Sequence, residues 1–240
     1  MSRTRSNGLG RSNLGTQSQL GGADALQSSS EAPTVPKNSM SDSQPDLSKL
    51  NLPVLKQVQV LIPNLHIVSP ALLRGAQPSA QALLLIKQSG VRTIVNLRNE
   101  PVLVEEEASQ VRTLGLNYVN IPMDVFSHPS ADSLQRFLAV VAAPENQPVY
   151  VHCQHGEDRT GTMCAIYRIG AEGWPLEKAY QEMLAYGYKP VLVNLSAAVL
   201  EFANSHSHAT ASHTVALSNP ISSTISQARD KMQNFLRKKD

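Results

Sequence analysis

The chain has 240 residues, a formal net charge of +2 and two cysteines, Cys153 and Cys164. This length allows one domain of about 150 residues with tails, and the near-neutral charge argues against a nucleic-acid partner. Two cysteines exclude a disulfide framework and favour a reducing compartment, so we expect a soluble, cytoplasmic protein. The N-terminus has no apolar segment typical of a secretory signal, and no apolar run reaches the roughly 18–20 residues of a transmembrane helix.

Composition divides the chain into four predicted segments. Residues 1–50 are rich in Ser, Gly, Asn and Gln and contain no Phe, Trp or Tyr, which predicts a disordered tail. A folded domain is predicted over 52–204, followed over 205–224 by a linker rich in Ser, Thr, His and Asn. Residues 225–240 carry apolar side chains at helical spacing and end in basic residues, which predicts a short amphipathic helix. This helix would dock on the domain or stay in water; the alternative is contact with a membrane surface or a partner.

Within 52–204, the pattern of apolar residues predicts strands that alternate with helices of about 10–15 residues. Val54–Ile62 is apolar but fits a strand or a helix equally well. The predicted strands are Asn64–Val68, Leu72–Arg74, Val91–Leu97, Tyr118–Ile121 and Pro148–His152. The predicted helices are Ala80–Gln88, Val102–Leu114, Ser130 or Asp132 to Val141, Thr160–Ala171, Pro175–Ala185 and Asn194–Asn204. This alternation predicts an α/β fold with a central, mostly parallel sheet of four or five strands flanked by helices.

The loop between the predicted strand ending at His152 and the predicted helix from Thr160 has the composition of a phosphate-binding site. A strand-to-helix turn directs successive backbone N–H groups at one point, where the positive end of the helix dipole also lies. Arg159 can bind two phosphate oxygens through its planar guanidinium, and Gly156 lets the backbone curl around an anion. The predicted phosphate-binding residues are Gln154, His155, Gly156, Glu157, Asp158 and Arg159.

The same positive field favours the thiolate form of Cys153. A thiolate at the floor of this loop would attack phosphorus in line and form a cysteinyl phosphate, which water would then release. Arg159 would stabilise the charge on the equatorial oxygens, and Thr160 would donate a hydrogen bond to the Cys153 sulfur. We expect His152 to orient the loop through backbone hydrogen bonds. This chemistry needs no metal and no cofactor, and none is expected.

The loop resembles a known family signature. His152-Cys153, five residues, then Arg159-Thr160-Gly161 is similar to the signature of protein tyrosine phosphatases, in particular the compact dual-specificity group. Upstream, Arg74–Ser79 and Gly90–Arg98 resemble the entry region of bacterial and plant-fungal atypical dual-specificity phosphatases. The resemblance covers about residues 60–205. It implies a compact protein-tyrosine-phosphatase-like fold that hydrolyses phosphotyrosine or phosphoserine/threonine in proteins, or a small phosphate ester.

Two aspartates are the main candidates for the general acid that protonates the leaving group. Most of the family is thought to use an aspartate from a separate loop, and Asp124 follows the strand before the signature strand. The ending Gly-x-Asp-Arg-Thr instead resembles myotubularins and a branch of bacterial tyrosine and lipid phosphatases. In those enzymes the loop aspartate, here Asp158, is proposed as the acid. Asp132 is a weaker candidate, since it fits a helix N-cap.

Acidic Glu157 stands where those branches commonly carry lysine, which favours phosphotyrosine or a small monoester over multiply phosphorylated inositides. His155 is expected to line the mouth of the site or to be exposed. Two other functions remain open: a phosphate-binding interaction module with vestigial catalysis, and a rhodanese-like sulfurtransferase. The short rhodanese-type loop resembles cysteine, four residues, arginine, whereas five residues separate Cys153 from Arg159, which favours phosphate.

Several further residues are interpreted as structural. Arg74 and Arg98 either rim the phosphate site or pair with acidic side chains, and we favour pairing. Cys164 is expected to pack in the core rather than to act as a redox partner of Cys153. Glu105-Glu106-Glu107 is expected to form a solvated helix face. His206, His208 and His213 are interpreted as linker residues and not as a metal site.

Overall fold

The computed structural model describes residues 46–210, of which residues 207–210 are described by their backbone alone. These residues form an α/β fold with a five-stranded sheet and seven α-helices. Residues 1–45 of the predicted tail, the rest of the predicted linker and the predicted amphipathic helix over 225–240 lie outside the described residues. Among residues 46–210, no helix combines the length and the apolar character that crossing a bilayer requires.

The sheet has the strand order β1-β2-β5-β3-β4. The strands are β1 (His66–Ser69), β2 (Leu72–Gly75), β3 (Thr93–Asn96), β4 (Asn117–Asn120) and β5 (Val149–His152). The β1–β2 pair is antiparallel and all other pairs are parallel, which confirms the predicted mostly parallel sheet. Every residue of β2, β3 and β5 is buried, as expected for strands that helices cover on both faces. The loop that follows β5 therefore starts from the middle of the sheet.

Helices account for most of the remaining described residues. They are α1 (Leu52–Leu61), α2 (Ala80–Gln88), α3 (Pro101–Thr113), α4 (Ala131–Ala142), α5 (Asp158–Gly170), α6 (Leu176–Ala185) and α7 (Val193–Thr210). The Asn51 side chain accepts a hydrogen bond from the Val54 N–H, and a proline lies in the first turn of α1. These start signals explain why the ambiguous segment Val54–Ile62 is mostly helical rather than a strand.

Among the predicted boundaries that differ from the structure, three concern the extent of the domain and the start of α5. The folded core begins before residue 52, because Leu50 is already buried among apolar side chains. Helix α5 begins at Asp158 rather than Thr160, directly after the backbone of Gly156 and Glu157 completes its turn. Helix α7 continues past Asn204 to Thr210, into the predicted linker, since residues 205–210 contain neither Gly nor Pro to stop it.

Two apolar cores lie on opposite faces of the sheet. Leu72 and Val151 pack on the face covered by α4, α5, α6 and α7, whereas Leu73 and Tyr150 pack on the face covered by α1 and α2. Neighbouring residues of a strand point to opposite faces, so each central strand contributes to both cores. Full burial of such side chains contributes about 1.5–3 kcal/mol each. The loop after β5 is therefore attached to the most firmly held part of the sheet.

Candidate active site

A cavity of about 390 Å³ opens where β5 ends and α5 begins. The chain enters the cavity wall directly after His152, the last residue of β5. The loop residues that line the cavity are Cys153, Gln154, His155, Asp158 and Arg159. Cys153 and Arg159, which have five residues between them in the sequence, therefore line the same cavity.

Three successive carbonyl groups of this loop are held by donors from residues 64–77. The carbonyl of Gln154 accepts from the Gln77 N–H at 3.1 Å, that of His155 from Asn64 Nδ2 at 3.0 Å, and that of Gly156 from Arg74 Nη2 at 2.7 Å. In a trans peptide the C=O of one residue and the N–H of the next point in opposite directions. The donors therefore turn the following N–H groups away from themselves, which preorganises the loop to bind an anion.

Gly156 has to be glycine for two reasons. Its φ is +73°, in the left-handed region that favours glycine. A Cβ atom added there would lie 2.4 Å from the carbonyl carbon of Gly75, which is backbone and cannot move aside. The loop thus packs directly against the end of β2.

Arg159 and Cys153 are both largely buried at the cavity floor, with 7% and 3% of their surfaces exposed. Nη1 of Arg159 donates to the Met123 carbonyl at 3.3 Å, which ties the guanidinium to the loop after β4. Across the cavity, hydrogen bonds from Arg98 lower the pKa of Glu100 to about 2, and the charge of Arg159 adds to this effect. The cavity is therefore lined by a thiol and a guanidinium, and also by the Glu100 carboxylate, which pairs with Arg98.

Asp158 is held by a residue that the sequence did not point to, Lys189. The Lys189 N–H donates to Asp158 Oδ1 at 2.9 Å, and its Nζ lies 3.2 Å from Asp158 Oδ2 and 2.5 Å from Glu157 Oε2. The bond to Glu157 raises the pKa of Lys189. Lys189 also lines the cavity, but it lies 31 residues along the chain from Asp158 in a short turn after α6, so no local pattern reveals the contact.

Asp124 also lines the cavity, from the loop between β4 and α4. Its Oδ1 accepts from the Phe126 N–H at 2.8 Å, and its Oδ2 accepts from the Ser127 hydroxyl at 3.3 Å. Asp132 lies in the first turn of α4, and the N-cap of that helix is Ser130. Of the aspartates considered from the sequence, Asp124 and Asp158 thus reach the cavity.

The predicted contact between Thr160 and Cys153 is absent. Thr160 is completely buried, and within residues 46–210 its Oγ1 makes no hydrogen bond, including none to the Cys153 sulfur. Thr160 lies in the first turn of α5, where its hydroxyl is enclosed beside the loop. His152 does contact the backbone as expected, because its Nδ1 lies 3.2 Å from the Cys153 carbonyl oxygen.

Glu107 contradicts the prediction of a solvated acidic face, because only 4% of it is exposed. Its Oε1 accepts from Gln77 Nε2 and its Oε2 from Asn96 Nδ2, both at 2.6 Å. His152 Nε2 lies 3.2 Å from Glu107 Oε1, at an angle too poor for a hydrogen bond. Burial raises the pKa of Tyr118, and the charge of Glu107 raises it further. Glu107 therefore connects α3 to β3 and to the segment after β2, and it lies close to His152 at the end of β5.

The two arginines interpreted as structural differ from each other. Arg98 pairs with Glu100 at 3.0 Å, as expected. Arg74 takes part in none of the ion pairs found among residues 46–210, and instead donates to the loop carbonyl of Gly156. Cys164 is buried in the core, where burial raises its pKa to about 11, and it forms no disulfide.

Comparison with protein families gives a match over most of the described chain. A family model described as PTP-NADK, a DSP-PTPase phosphatase fused to NAD⁺ kinase, matches residues 59–199, which is more than half of the chain. The dual specificity protein phosphatase TpbA of Pseudomonas aeruginosa is 31% identical over 125 residues, which cover 52% of this chain and 55% of TpbA. The chain spans about half the length of this curated relative.

Two further proteins are similar to this chain. The probable chloroplastic NAD kinase 2 of Oryza sativa is 34% identical over 99 residues, which cover 40% of this chain and 10% of that protein. The solved structure of P. aeruginosa TpbA in complex with pTyr covers 60% of this chain and 90% of that chain, with a TM-score of 0.50 and 26% identity. The matched region contains the sheet, the loop after β5 and α5.

Proposed function

Because the chain belongs to the DSP-PTPase family whose model matches residues 59–199, we propose that it hydrolyses phosphomonoesters through a cysteinyl-phosphate intermediate. The observation that carries this proposal is that Cys153 and Arg159 line one cavity, at a loop whose carbonyls are held away from it. Such a site offers a nucleophile, a cation and a set of N–H donors to a single phosphate group.

In the first step, the Cys153 thiolate attacks phosphorus, so that an S–P bond forms while the bond from phosphorus to the leaving oxygen breaks. In the second step, water attacks the same phosphorus and the S–P bond breaks, which releases inorganic phosphate and the thiolate. The loop N–H groups and Arg159 stabilise the charge on the three equatorial oxygens in both steps.

Asp124 is the better supported proton donor to the leaving group. Both carboxylate oxygens of Asp158 accept hydrogen bonds from Lys189, so this side chain is tied to the turn after α6. Among residues 46–206, Asp124 has only neutral hydrogen-bond partners, a backbone N–H and a hydroxyl, and it lies on an exposed loop at the cavity. We assign Asp158 the role of connecting the loop to Lys189.

The rim of the cavity favours an aromatic leaving group. Val125 and Leu192 line the cavity, and the neighbouring Phe126 is 72% exposed. These apolar side chains can contact the ring of a phosphotyrosine, and the similar TpbA has been solved with pTyr. Glu157 and Asp158 lower the positive charge at the mouth, which disfavours multiply phosphorylated ligands. The proposed substrate is a phosphotyrosine-containing protein or a small aryl phosphate.

The test is hydrolysis of an aryl phosphate by the full chain and by Cys153→Ser. We expect turnover that vanadate inhibits and that falls at least about a thousandfold in the variant. Cys164→Ser is the matched control, since it removes the other thiol, and it should keep most of the activity. Binding of phosphate without turnover would point to an interaction module, and transfer of sulfur from thiosulfate to cyanide would point to a sulfurtransferase.

A further inference from the structure

Arg74 is a buried guanidinium without a carboxylate partner among residues 46–210. Only 1% of its surface is exposed. Nη2 donates to the Gly156 carbonyl at 2.7 Å, while Nε and Nη1 are buried without a hydrogen-bond partner among those residues. An uncompensated buried charge is unfavourable for folding, and groups of this kind concentrate at functional sites.

The position of Arg74 places this charge behind the loop. Arg74 lies on β2 opposite Val151 of β5. Val151 precedes Cys153 by two residues in the chain. Its guanidinium carbon is 4.5 Å from the ring centre of Tyr186, and a Cβ atom built on Gly161, in the first turn of α5, would lie 3.8 Å from its Nη2. The guanidinium thus packs between β2, the start of α5 and the turn after α6.

We infer that Arg74 is a positioning residue of the proposed phosphate-binding loop, residues 153–159, and that it acts through the Gly156–Glu157 peptide and through its permanent buried charge. This inference rests on the proposed function and names a residue that shapes its site. The Gly156 carbonyl is directed towards Nη2, so the N–H of Glu157 points the opposite way, where it can meet a bound oxyanion.

The lack of a carboxylate partner for Arg74 among residues 46–210 also affects the charge that an anion in the loop would meet. A carboxylate partner would cancel the charge of Arg74, whereas the face of the Tyr186 ring offsets its desolvation and leaves the charge in place. Salt screens a buried charge only weakly, so it acts on an anion in the loop. A neighbouring residue senses this charge: burial lowers the pKa of His66, opposite Arg74 on β1, and Arg74 lowers it further.

The experiment measures the binding of inorganic phosphate and of vanadate to the full chain by calorimetry, together with kcat and KM for an aryl phosphate. Arg74→Gln removes the charge but keeps an amide donor, and Arg74→Lys keeps the charge. Arg168→Gln is the control, because Arg168 is a partly buried arginine that, unlike Arg74, pairs with carboxylates, those of Glu172 and Glu182. We expect Arg74→Gln to weaken oxyanion binding by about ten- to a hundredfold and to lower kcat, with most of both losses restored in Arg74→Lys.

Arg168→Gln should bind oxyanions within about twofold of the unmodified chain, even where its melting temperature falls. A folded Arg74→Gln variant with unchanged oxyanion binding overturns the inference, whether or not the chain turns over substrate. A measurement on the unmodified chain covers the case in which Arg74→Gln does not fold. The amide signal of Glu157 should move on phosphate addition in an NMR titration, and an unmoved signal at saturation overturns the inference.

Discussion

At the scale of single residues, the two aspartates at the cavity have different partners and therefore different expected effects. Asp124→Asn should lower kcat about a hundredfold and abolish the fall of the pH–rate profile on its alkaline side, because a general acid is active only while protonated. The measurement is the pH dependence of kcat with an aryl phosphate whose leaving group needs protonation.

Asp158→Asn is the control for this prediction. It should retain the alkaline fall of the profile, although loosening of the contact with Lys189 should raise KM. The opposite outcome, in which the alkaline fall disappears in Asp158→Asn and persists in Asp124→Asn, would transfer the acid role to Asp158.

Residues of the candidate site were predictable from the sequence where they lie close together in the chain. Cys153 and Arg159 follow from a fixed spacing between a strand and a helix, and both line the cavity. Lys189 and Glu107 were not predicted, because their contacts depend on how distant elements pack. Glu107 stands in a run of three acids that is typical of a solvated face, and only its position on the inner side of α3, next to the buried Ala108, distinguishes it.

At the scale of elements, the close approach of the loop to β2 predicts the effect of Gly156→Ala. The new Cβ would overlap the Gly75 backbone, so we expect a loss of about 3 kcal/mol or more in the free energy of unfolding and weaker oxyanion binding. Urea unfolding and phosphate calorimetry measure the two effects.

Gly115→Ala provides the comparison for the backbone strain alone. Gly115 has nearly the same φ, +71°, but no atom lies within 4 Å of its added Cβ among the described residues. The free energy of unfolding should fall by only about 1 kcal/mol in Gly115→Ala, with oxyanion binding unchanged. Equal losses in the two variants would show that the contact with Gly75 is unimportant.

The polar network around Glu107 joins α3 to the sheet. It predicts that substitutions of Glu107 and of its neighbour Glu106 differ in their effect on stability. Glu107→Gln presents an amide nitrogen to one of its two donors, Gln77 or Asn96, so we expect a loss of about 1–3 kcal/mol in the free energy of unfolding. Glu106→Gln changes the exposed neighbour and should stay within about 0.5 kcal/mol. Equal effects in urea unfolding would contradict the buried role of Glu107.

At the scale of the whole molecule, the start of the folded core can be tested by truncation. Deletion of residues 1–45 should leave stability and activity unchanged. Deletion of residues 1–51 removes the buried Leu50 and the Asn51 cap of α1, and should cost about 2–4 kcal/mol in the free energy of unfolding. Equal stability of the two truncated chains would mean that the core begins later than Leu50.

The fold class was predictable because strands and helices alternate along the chain, and each of the five predicted strands is present with shifted ends. The strand order was not predictable, since it depends on which strands pair across long connections: β5 lies between β2 and β3 although it is the last strand of residues 46–210. That order brings residues 64–77 next to the loop after β5, where they hold three of its carbonyls.

The most direct test of the account is to trap the covalent intermediate. The full chain would be mixed with excess aryl phosphate, quenched with acid during turnover, digested and analysed by mass spectrometry. We predict a phosphoryl group on the peptide that contains Cys153 and none on the separate thiol of Cys164. Turnover with no phosphoryl group on Cys153, or with the group on another residue, would contradict the proposed mechanism.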